Sequence, residues 1–341
     1  MPDSARTRRR TLFGLAAAGP VALGPRRPRA ALPGSATLLV PGPEDGAVAL
    51  WAQRLAAGLR RAATTAINLE HSVLGGPDGV TAANRFATTA APDGRTLLVL
   101  TGATAQARLV GDPRARFDPA GWLPLCAAVA VPIVAGRWPL ASGPAAGPGA
   151  ASPVRLGLPG GPEHPATAAL LALDLLGVPA TPVLGVSAQQ AEAALLQGAL
   201  DAIVLQGTDA PARLAMLRAH AWFSLDGGGG GAGGADLPAV ADLAPGAPRP
   251  VMAGLRAAAT GARLQAAAVL PALTPADTVA LWRGAAQRWA EEEGRGAMPA
   301  AAPRPRPSPD AAIAIGALAP PPEAALAYRE WLLRRLQWRP E

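Results

Sequence analysis

The sequence contains no lysine, a single cysteine and few aromatic residues. All 31 basic residues are arginine, and aromatic residues make up 4% of the 341. Cys126 cannot form an internal disulfide, and its place in the apolar stretch 123–134 predicts a buried, small hydrophobic side chain. Half of the chain is apolar and 16% is charged, which excludes a charged disordered polymer. The core must therefore be built mainly from Ala, Val and Leu, in a chain long enough for about two domains.

Motifs that would indicate catalysis or metal binding are missing. The three histidines, His71, His164 and His220, are widely spaced, and the sequence has no H-x-x-x-H, C-x-x-C or D-x-D cluster. It also has no G-x-S-x-G elbow, and the glycine run at 227–234 lacks the Lys-Ser/Thr ending of a phosphate loop. We therefore expect no enzyme, no cofactor and no metal site.

Positive charge is concentrated at the start of the chain. Of the net charge of +7, residues 1–31 supply +6, from seven arginines and one aspartate, which leaves +1 for the other 310 residues. A nearly neutral chain has no general electrostatic attraction to phosphate backbones. We therefore expect no nucleic-acid partner.

Residues 1–31 have the pattern of an export signal. Arginines 8–10 precede the apolar run 11–23, which Gly14, Gly19 and Pro20 interrupt, so it is too short and broken for a membrane span. Consecutive arginines before Thr-Leu-Phe resemble a twin-arginine signal, and a Sec signal is the alternative. No other segment reaches 18 uninterrupted apolar residues, and we expect a soluble protein exported to the periplasm.

Short apolar runs alternate with helical patterns along the rest of the chain. This alternation is typical of a parallel α/β architecture. Segments 139–153, 227–234 and 300–308 are rich in Gly, Pro or Ala and are predicted to be surface loops. The predicted strands are 37–40, 96–100, 154–158 and 201–205, and the predicted helices are the segment after residue 46, 166–176, 187–198 with a Ser187–Gln190 capping box, 274–292 and 323–338.

Four loops follow these strands and are rich in glycine, proline or threonine. They are 41–46, 75–79, 101–106 and 159–164. In open α/β sheets, ligands bind outside the carboxyl ends of the strands, where helix N-termini present unpaired N–H groups. Four such loops behind an export signal predict an exported binding protein.

The order of these segments resembles the Bug-type periplasmic solute-binding proteins of tripartite tricarboxylate transporters. The most specific match is 91–98, Ala-Pro-Asp-Gly-Arg-Thr-Leu-Leu, against the family pattern A-P-D-G-x-T-L-L. The family's N…GG..G stretch is similar to Asn68 with the glycines that follow it at 75–79, and its S-P-G-x-G-S…H loop is similar to 158–164. The resemblance extends over residues 37–338.

The resemblance implies an α/β fold with two lobes, of the type II periplasmic-binding-protein kind, in which each lobe is a sheet flanked by helices and a hinge joins them. Lobe one would comprise 36–136 and 249–341, and lobe two 137–248. The implied activity is capture of a small carboxylate between the lobes and its delivery, by a monomer, to membrane permease subunits. The ligand contacts implied by the resemblance are Pro43, Gly46, Gly75, Gly76, Thr101, Thr104, Gly160, Gly161 and Val183.

Two departures from the family pattern bear on the ligand. Leu158 and the pair 183–184 replace the family's Ser and Tyr-Lys, and the first loop carries two acids, Glu44 and Asp45. These acids read either as a turn before a helix or as a carboxylate pair. If they face the cleft, extra negative charge and fewer donors disfavour a polyanion. We therefore expect a monocarboxylate, an amino acid or an amide as the ligand.

Two other functions stay open. An orphan or sensory binding module would pass a signal to a partner protein through an altered pocket. An exported enzyme on a related scaffold would need a catalytic constellation that the sequence does not offer. Genes for permease subunits or for a sensor kinase beside this one would separate transport from sensing.

Overall fold

The computed structural model describes residues 31–140, 152–207, 209–226, 237–296 and 305–340. Residues 31–341 belong to one compact unit. The expected export signal at 1–31 lies outside the described residues, apart from residue 31. The fold is therefore described from residue 31 onward.

The first sheet has six strands in the order β11-β4-β10-β3-β1-β2. β1 runs parallel to β2 and β3, with Leu38 opposite His71 on one side and Leu97 on the other. β10 runs antiparallel to β3 and β4, so the sheet is mixed. Its strands are β1 Ser35–Val40, β2 Asn68–Val73, β3 Thr96–Leu100, β4 Leu123–Val129, β10 Leu264–Leu270 and β11 Pro305–Pro307.

Helices cover both faces of this sheet, and together with it they form what we call the first lobe. On one face, Trp51, Trp282 and Trp289 are buried among the apolar side chains of α1 and α9. The rings of Trp51 and Trp289 meet edge to face, 6.1 Å apart. On the other face, Phe86 and Ile315 belong to a second cluster. The helices are α1 Ala47–Ala62, α2 Val80–Thr89, α3 Gly102–Val110, α9 Ala276–Arg295 and α10 Ser308–Ala317.

The second sheet has five strands in the order β7-β6-β8-β5-β9. β6 runs parallel to β7 and β8, whereas β5 runs antiparallel to β8 and β9. With its helices it forms the second lobe. The elements are β5 Ile133–Gly136, β6 Val154–Leu158, α4 Ala168–Leu175, β7 Ala180–Leu184, α5 Ala188–Leu196, β8 Ala202–Leu205, α6 Ala210–Leu217, β9 His220–Ser224 and α7 Val240–Leu243.

Two helices connect the lobes, α8 Arg249–Arg263 and α11 Pro322–Leu336. Their buried residues, among them Leu255 and Trp331, share one hydrophobic cluster with β6, α4 and the end of α3. Trp331 Nε1 donates to Asp174 Oδ2 of α4 at 2.9 Å. Both helices, which the expected boundaries place wholly in lobe one, therefore pack against α4 of the second lobe as well as against α3 of the first.

The chain crosses to the second sheet between β4 and β5, at 130–132. The boundary expected at 136 placed β5 in lobe one, but its hydrogen bonds are with β8 and β9. The expected two-lobed α/β fold is confirmed, whereas the expected parallel pairing is only partly right because both sheets are mixed. Part of the loop expected at 300–308 is also an edge strand, β11, where proline is tolerated.

Candidate ligand-binding site

The parallel strands β1, β2 and β3 end at the same edge of the first sheet, so the loops after them lie together. A Cβ added to Gly42 would stand 2.4 Å from the carbonyl oxygen of Gly75. One added to Gly79, whose φ is +68°, would stand 2.1 Å from Thr104 Oγ1. These glycines are therefore required for close contact between the loops, which brings the predicted residues Gly75 and Thr104 to one edge.

Thr101 and Thr104 are both buried, with 4% and 1% of their surface exposed. Thr101 caps α3: its Oγ1 accepts from the N–H of Thr104 at 3.2 Å and lies 2.9 Å from Thr104 Oγ1. Their hydroxyl groups are thus already paired with each other. The structure assigns both side chains to the helix start, which limits what they could offer a ligand.

The predicted residues of the first loop, Pro43 and Gly46, also have a structural role. Gly46 stands at the N-cap of α1, and its N–H donates to the carbonyl of Pro43 at 3.1 Å. The side chains of Glu44 and Asp45 are exposed. They belong to the turn before α1, and neither lines the two cavities described below.

In the second lobe, the loop after β6 turns at Gly160, whose φ is +73°. The carbonyl of Gly160 accepts from Gly185 N–H at 2.8 Å, which joins this loop to the end of β7. The carbonyl of Gly161 accepts from His164 N–H at 3.0 Å. Val183, on β7, is 37% exposed. These three predicted residues therefore lie around the adjacent ends of β6 and β7.

A cavity of about 1110 Å³, which we call the larger cavity, lies between the lobes. None of the nine predicted contact residues lines it, but their sequence neighbours do: Pro77 follows Gly76, and Ala103 stands between the two threonines. Its lining residues are Pro77, Asp78, Ala103, Ala107, Val110, Asp112 and Arg114 of the first lobe, Glu163, His164 and Pro165 of the second, and the tail 337–340 after α11.

A second cavity of about 310 Å³, the smaller cavity, lies beside the crossover between the lobes. Its walls are mainly apolar, with His164, Gln206, Arg213 and Gln265 as the larger polar side chains. The others are Ala130, Gly157, Pro159, Ala166, Val186, Ala188, Ala191, Val204 and Gly207. Among the described residues, His164 is the one that lines both cavities.

Acidic side chains neutralise the guanidinium of Arg114 in the larger cavity. Its Nη2 lies 2.6 Å from Asp112 Oδ2 and 3.1 Å from Asp78 Oδ2. The hydrogen bond from Arg114 holds the pKa of Asp112 below its usual range, despite partial burial. Glu163 and Arg339 form no salt bridge with any other residue in the described ranges. The lining thus carries three acids and two arginines, an excess of one negative charge.

The arginine of the smaller cavity is also engaged. Arg213 Nη1 donates to the carbonyl of Gln206 at 2.7 Å, and Nε donates to Glu192 Oε1 at 3.1 Å, where Nη2 bonds as well. Asp209 is a further partner, with Oδ1 3.6 Å from Nη1. Arg114 and Arg213 are thus both paired with carboxylates of the protein, which leaves Arg339 as the lining arginine without a salt bridge among the described residues.

His164 was not among the predicted contact residues, although it lines both cavities. Its Nδ1 accepts from the N–H of Ala166 at 3.1 Å, capping a 3₁₀ turn, Pro165–Thr167. Burial lowers the pKa of His164, and the nearby charge of Glu163 opposes that shift. The histidine at the end of the 158–164 motif was the signal that could have identified it.

The described ranges contain no cluster of three or more His, Cys, Asp or Glu side chains that could hold a metal ion. Within those ranges, no helix is long and apolar enough to cross a membrane. Cys126 is fully buried in β4, and burial raises the pKa of its thiol to about 12. This confirms the prediction of a buried, small hydrophobic side chain.

No protein-family model matches the sequence, and comparison with curated protein sequences gives no match either. Solved structures do match. A TctC solute-binding protein from Polaromonas, without ligand, is similar with a TM-score of 0.64 at 14% identity, over 88% of this chain and 98% of that one. MatC from Rhodopseudomonas palustris, with bound malate, gives 0.53 at 21% identity, over 87% and 98%.

The periplasmic binding protein BugD gives a TM-score of 0.52 at 16% identity, over 88% of this chain and 97% of that one. All three similarities extend over nearly the whole length of the solved proteins, so both lobes are included. The chain therefore has the two-lobed fold of the TctC and BugD solute-binding proteins.

Proposed function

We propose that this protein is a periplasmic solute-binding receptor of the Bug type, which captures a small carboxylate, amino-acid or amide ligand between its lobes. It would deliver that ligand, as a monomer, to the membrane subunits of a tripartite tricarboxylate-type transporter. The larger cavity carries the proposal, because residues of both lobes line it as an interlobe ligand requires. The fold shared with solute-binding proteins, one of them holding malate, supports it.

Electrostatics favours a ligand with at most one net negative charge. Asp78 and Asp112 already occupy Arg114, and Glu163 adds a third carboxylate to the lining. Two like charges 4 Å apart repel by about 1 kcal/mol in water and by about 4 kcal/mol at an effective dielectric of 20. A dicarboxylate or tricarboxylate would face this repulsion with Arg339 as the one lining guanidinium that is not already paired with a carboxylate in the described ranges. The preference against polyanions, which was expected from Glu44 and Asp45, is therefore attributed instead to Asp78, Asp112 and Glu163.

The test is thermal denaturation of the protein from residue 32 with lactate, L-glutamine and propionamide as probes of the three ligand classes. Succinate and citrate serve as matched polyanions. A ligand at 100 times its Kd adds about 2.7 kcal/mol of stability, which raises the midpoint by several degrees. We expect a rise with at least one of the first three compounds and none with citrate. A rise with citrate alone would overturn the ligand class.

The second candidate is a sensory or orphan module that signals to a partner protein. The observation that favours it is that two of the three cavity arginines, Arg114 and Arg213, are already paired with carboxylates of the protein itself. If the protein is such a module, none of the five compounds would raise its thermal denaturation midpoint. Loss of uptake of the bound compound on deletion of the gene would support transport, whereas a changed transcriptional response with unchanged uptake would support sensing.

The proposal also assigns a compartment and excludes catalysis. A twin-arginine signal would export the folded protein, so a fusion of residues 1–31 to a reporter should reach the periplasm and lose export when the arginine pair 9–10 is replaced by lysine.

As a receptor, the protein should return its bound ligand chemically unchanged. Mass spectrometry of lactate, glutamine and propionamide after incubation checks this, and any product would favour an enzyme.

A further inference from the structure

His164 lies where the two cavities meet. It lines both the larger and the smaller cavity, from the second-lobe loop that follows β6. The other groups that line the two cavities come from both lobes, so this imidazole is placed to contact a molecule held in either. Its position therefore calls for a function beyond closing a local turn.

The ring is held from two sides. On one side, its Nδ1 accepts the N–H of Ala166 at 3.1 Å. On the other, it packs on the backbone of Gly160, where an added Cβ would stand 3.0 Å from both Cβ and Cδ2 of His164. A glycine at this turn, with φ of +73°, thus leaves the space that the imidazole occupies. The hydrogen bond to Nδ1 and the close approach to Gly160 together orient the ring.

This orientation also determines the tautomer. An imidazole nitrogen that accepts a backbone N–H carries no proton, so the neutral ring has its hydrogen on Nε2. Burial lowers the pKa of His164, which keeps the neutral form present at pH 7. In the parts of the chain that the structure describes, Nε2 has no hydrogen-bond partner. The ring therefore presents one uncharged, oriented donor.

We propose that the Nε2–H of His164 is the second-lobe donor to an oxygen of the ligand, a role that rests on the function proposed above. An uncharged donor satisfies a carbonyl or a single carboxylate oxygen without requiring a second negative charge. It thus selects the same ligands that the acid-rich lining tolerates. The chemistry fits an amide, an amino acid or a monocarboxylate better than a polyanion.

Two variants separate this role from that of the cap. In His164→Asn, the amide oxygen can replace Nδ1 as acceptor for Ala166, but no donor reaches the position of Nε2. In His164→Gln, the amide N–H can reach that position while the cap is lost. His71→Asn is the control, because His71 is exposed and lines neither cavity.

The measurement is calorimetric titration of each protein with lactate, L-glutamine and propionamide. We expect the compound that binds the wild type to bind H164N at least tenfold more weakly, the loss of about one hydrogen bond, or 1.4 kcal/mol. H164Q should stay within about threefold of the wild type. Equal binding by H164N and wild type would overturn the role of His164 while leaving the receptor proposal intact. Absence of binding by the wild type to all three would overturn both.

Spectroscopy on the unaltered protein gives an independent check. In protein labelled with ¹⁵N-histidine, the free state should show the Nε2–H tautomer of His164, assigned by its disappearance in H164N. Addition of the bound compound should move the Nε2 resonance more than the Nδ1 resonance. A Nε2 resonance that stays in place at saturation would contradict the proposal, whatever the stability of the variants.

Discussion

His164 links protonation to stability at the scale of a single residue. Burial lowers its pKa in the folded protein, Glu163 opposes this, and the unfolded value is about 6.5. Below pH 6.5 the unfolded chain therefore binds the proton more readily than the folded chain, so stability falls as the pH falls. The other charged groups around the larger cavity are Asp78, Asp112 and the arginines 114 and 339.

We expect the thermal midpoint of the protein to decrease between pH 7 and pH 5.5, and to decrease less in H164N. The reason is that asparagine retains an acceptor for Ala166 but does not titrate. Differential scanning fluorimetry over this pH range measures the effect, with H71N as the control. Parallel curves for wild type and H164N would show that His164 does not carry the dependence.

Glycine at position 79 is required by both conformation and contact. We expect Gly79→Ala to destabilise the protein by about 2–4 kcal/mol, since φ is +68° and the new Cβ would meet Thr104 Oγ1 at 2.1 Å. Gly177→Ala is the matched control, with the same φ of +68° but no atom within 4 Å, and should cost only about 1–2 kcal/mol. Urea unfolding measures both. Equal losses would show that the loop contact contributes nothing.

At the scale of elements, α5 begins with the capping box that the sequence predicted. Ser187 Oγ accepts from Gln190 N–H at 3.3 Å, and Gln190 Oε1 accepts from Ser187 N–H at 3.0 Å. We expect Ser187→Ala to cost about 1 kcal/mol because one N–H at the helix start loses its partner. Ser72→Ala, on the exposed surface of β2, should change stability by less than about 0.5 kcal/mol. Chemical denaturation compares the two variants, and a similar loss in both would contradict the role of the cap.

Elements were predictable where local signals were strong. The strands Thr96–Leu100 and Val154–Leu158 have the predicted bounds, and Gly177, with a positive φ, follows the end of α4. β4, β5 and β10 are among the strands that were not predicted, because alanine-rich segments such as Leu264–Leu270 contain few of the β-branched and aromatic residues that are typical of strands. These same strands make the sheets mixed, since their direction depends on pairing between distant segments.

At the scale of the whole molecule, α8 is the main link between the lobes. At the crossing of α3 and α8, a Cβ on Gly102 would lie 1.7 Å from the carbonyl oxygen of Gly261. On its other side α8 approaches α11, where a Cβ on Gly254 would stand 2.8 Å from the carbonyl oxygen of Ala324. The core of the second sheet thus includes residues of α3 from the first lobe.

Because of this shared packing, we expect one unfolding transition, with tryptophan fluorescence and far-ultraviolet circular dichroism coincident in urea. Gly102→Ala should lower the midpoint for both probes, with a loss of about 2–3 kcal/mol. Gly316→Ala, with open space around it in α10, is the control and should be neutral or slightly stabilising. Two separate transitions in the wild type would contradict the coupling of the lobes through α8.

The two-lobed fold was implied by the resemblance of the sequence to a known family. The residues themselves determined the alternation of strands and helices, the capped start of α5 and the glycine-rich loops after the strands. These depend on hydrophobic periodicity and on short-range backbone preferences, which a linear sequence records. Only the tertiary structure decided that Asp78 and Asp112 neutralise Arg114, that His164 lines two cavities, and that α8 and α11 pack against α4 of the second lobe. Distances between side chains far apart in sequence follow from how the elements pack, and no local pattern encodes them.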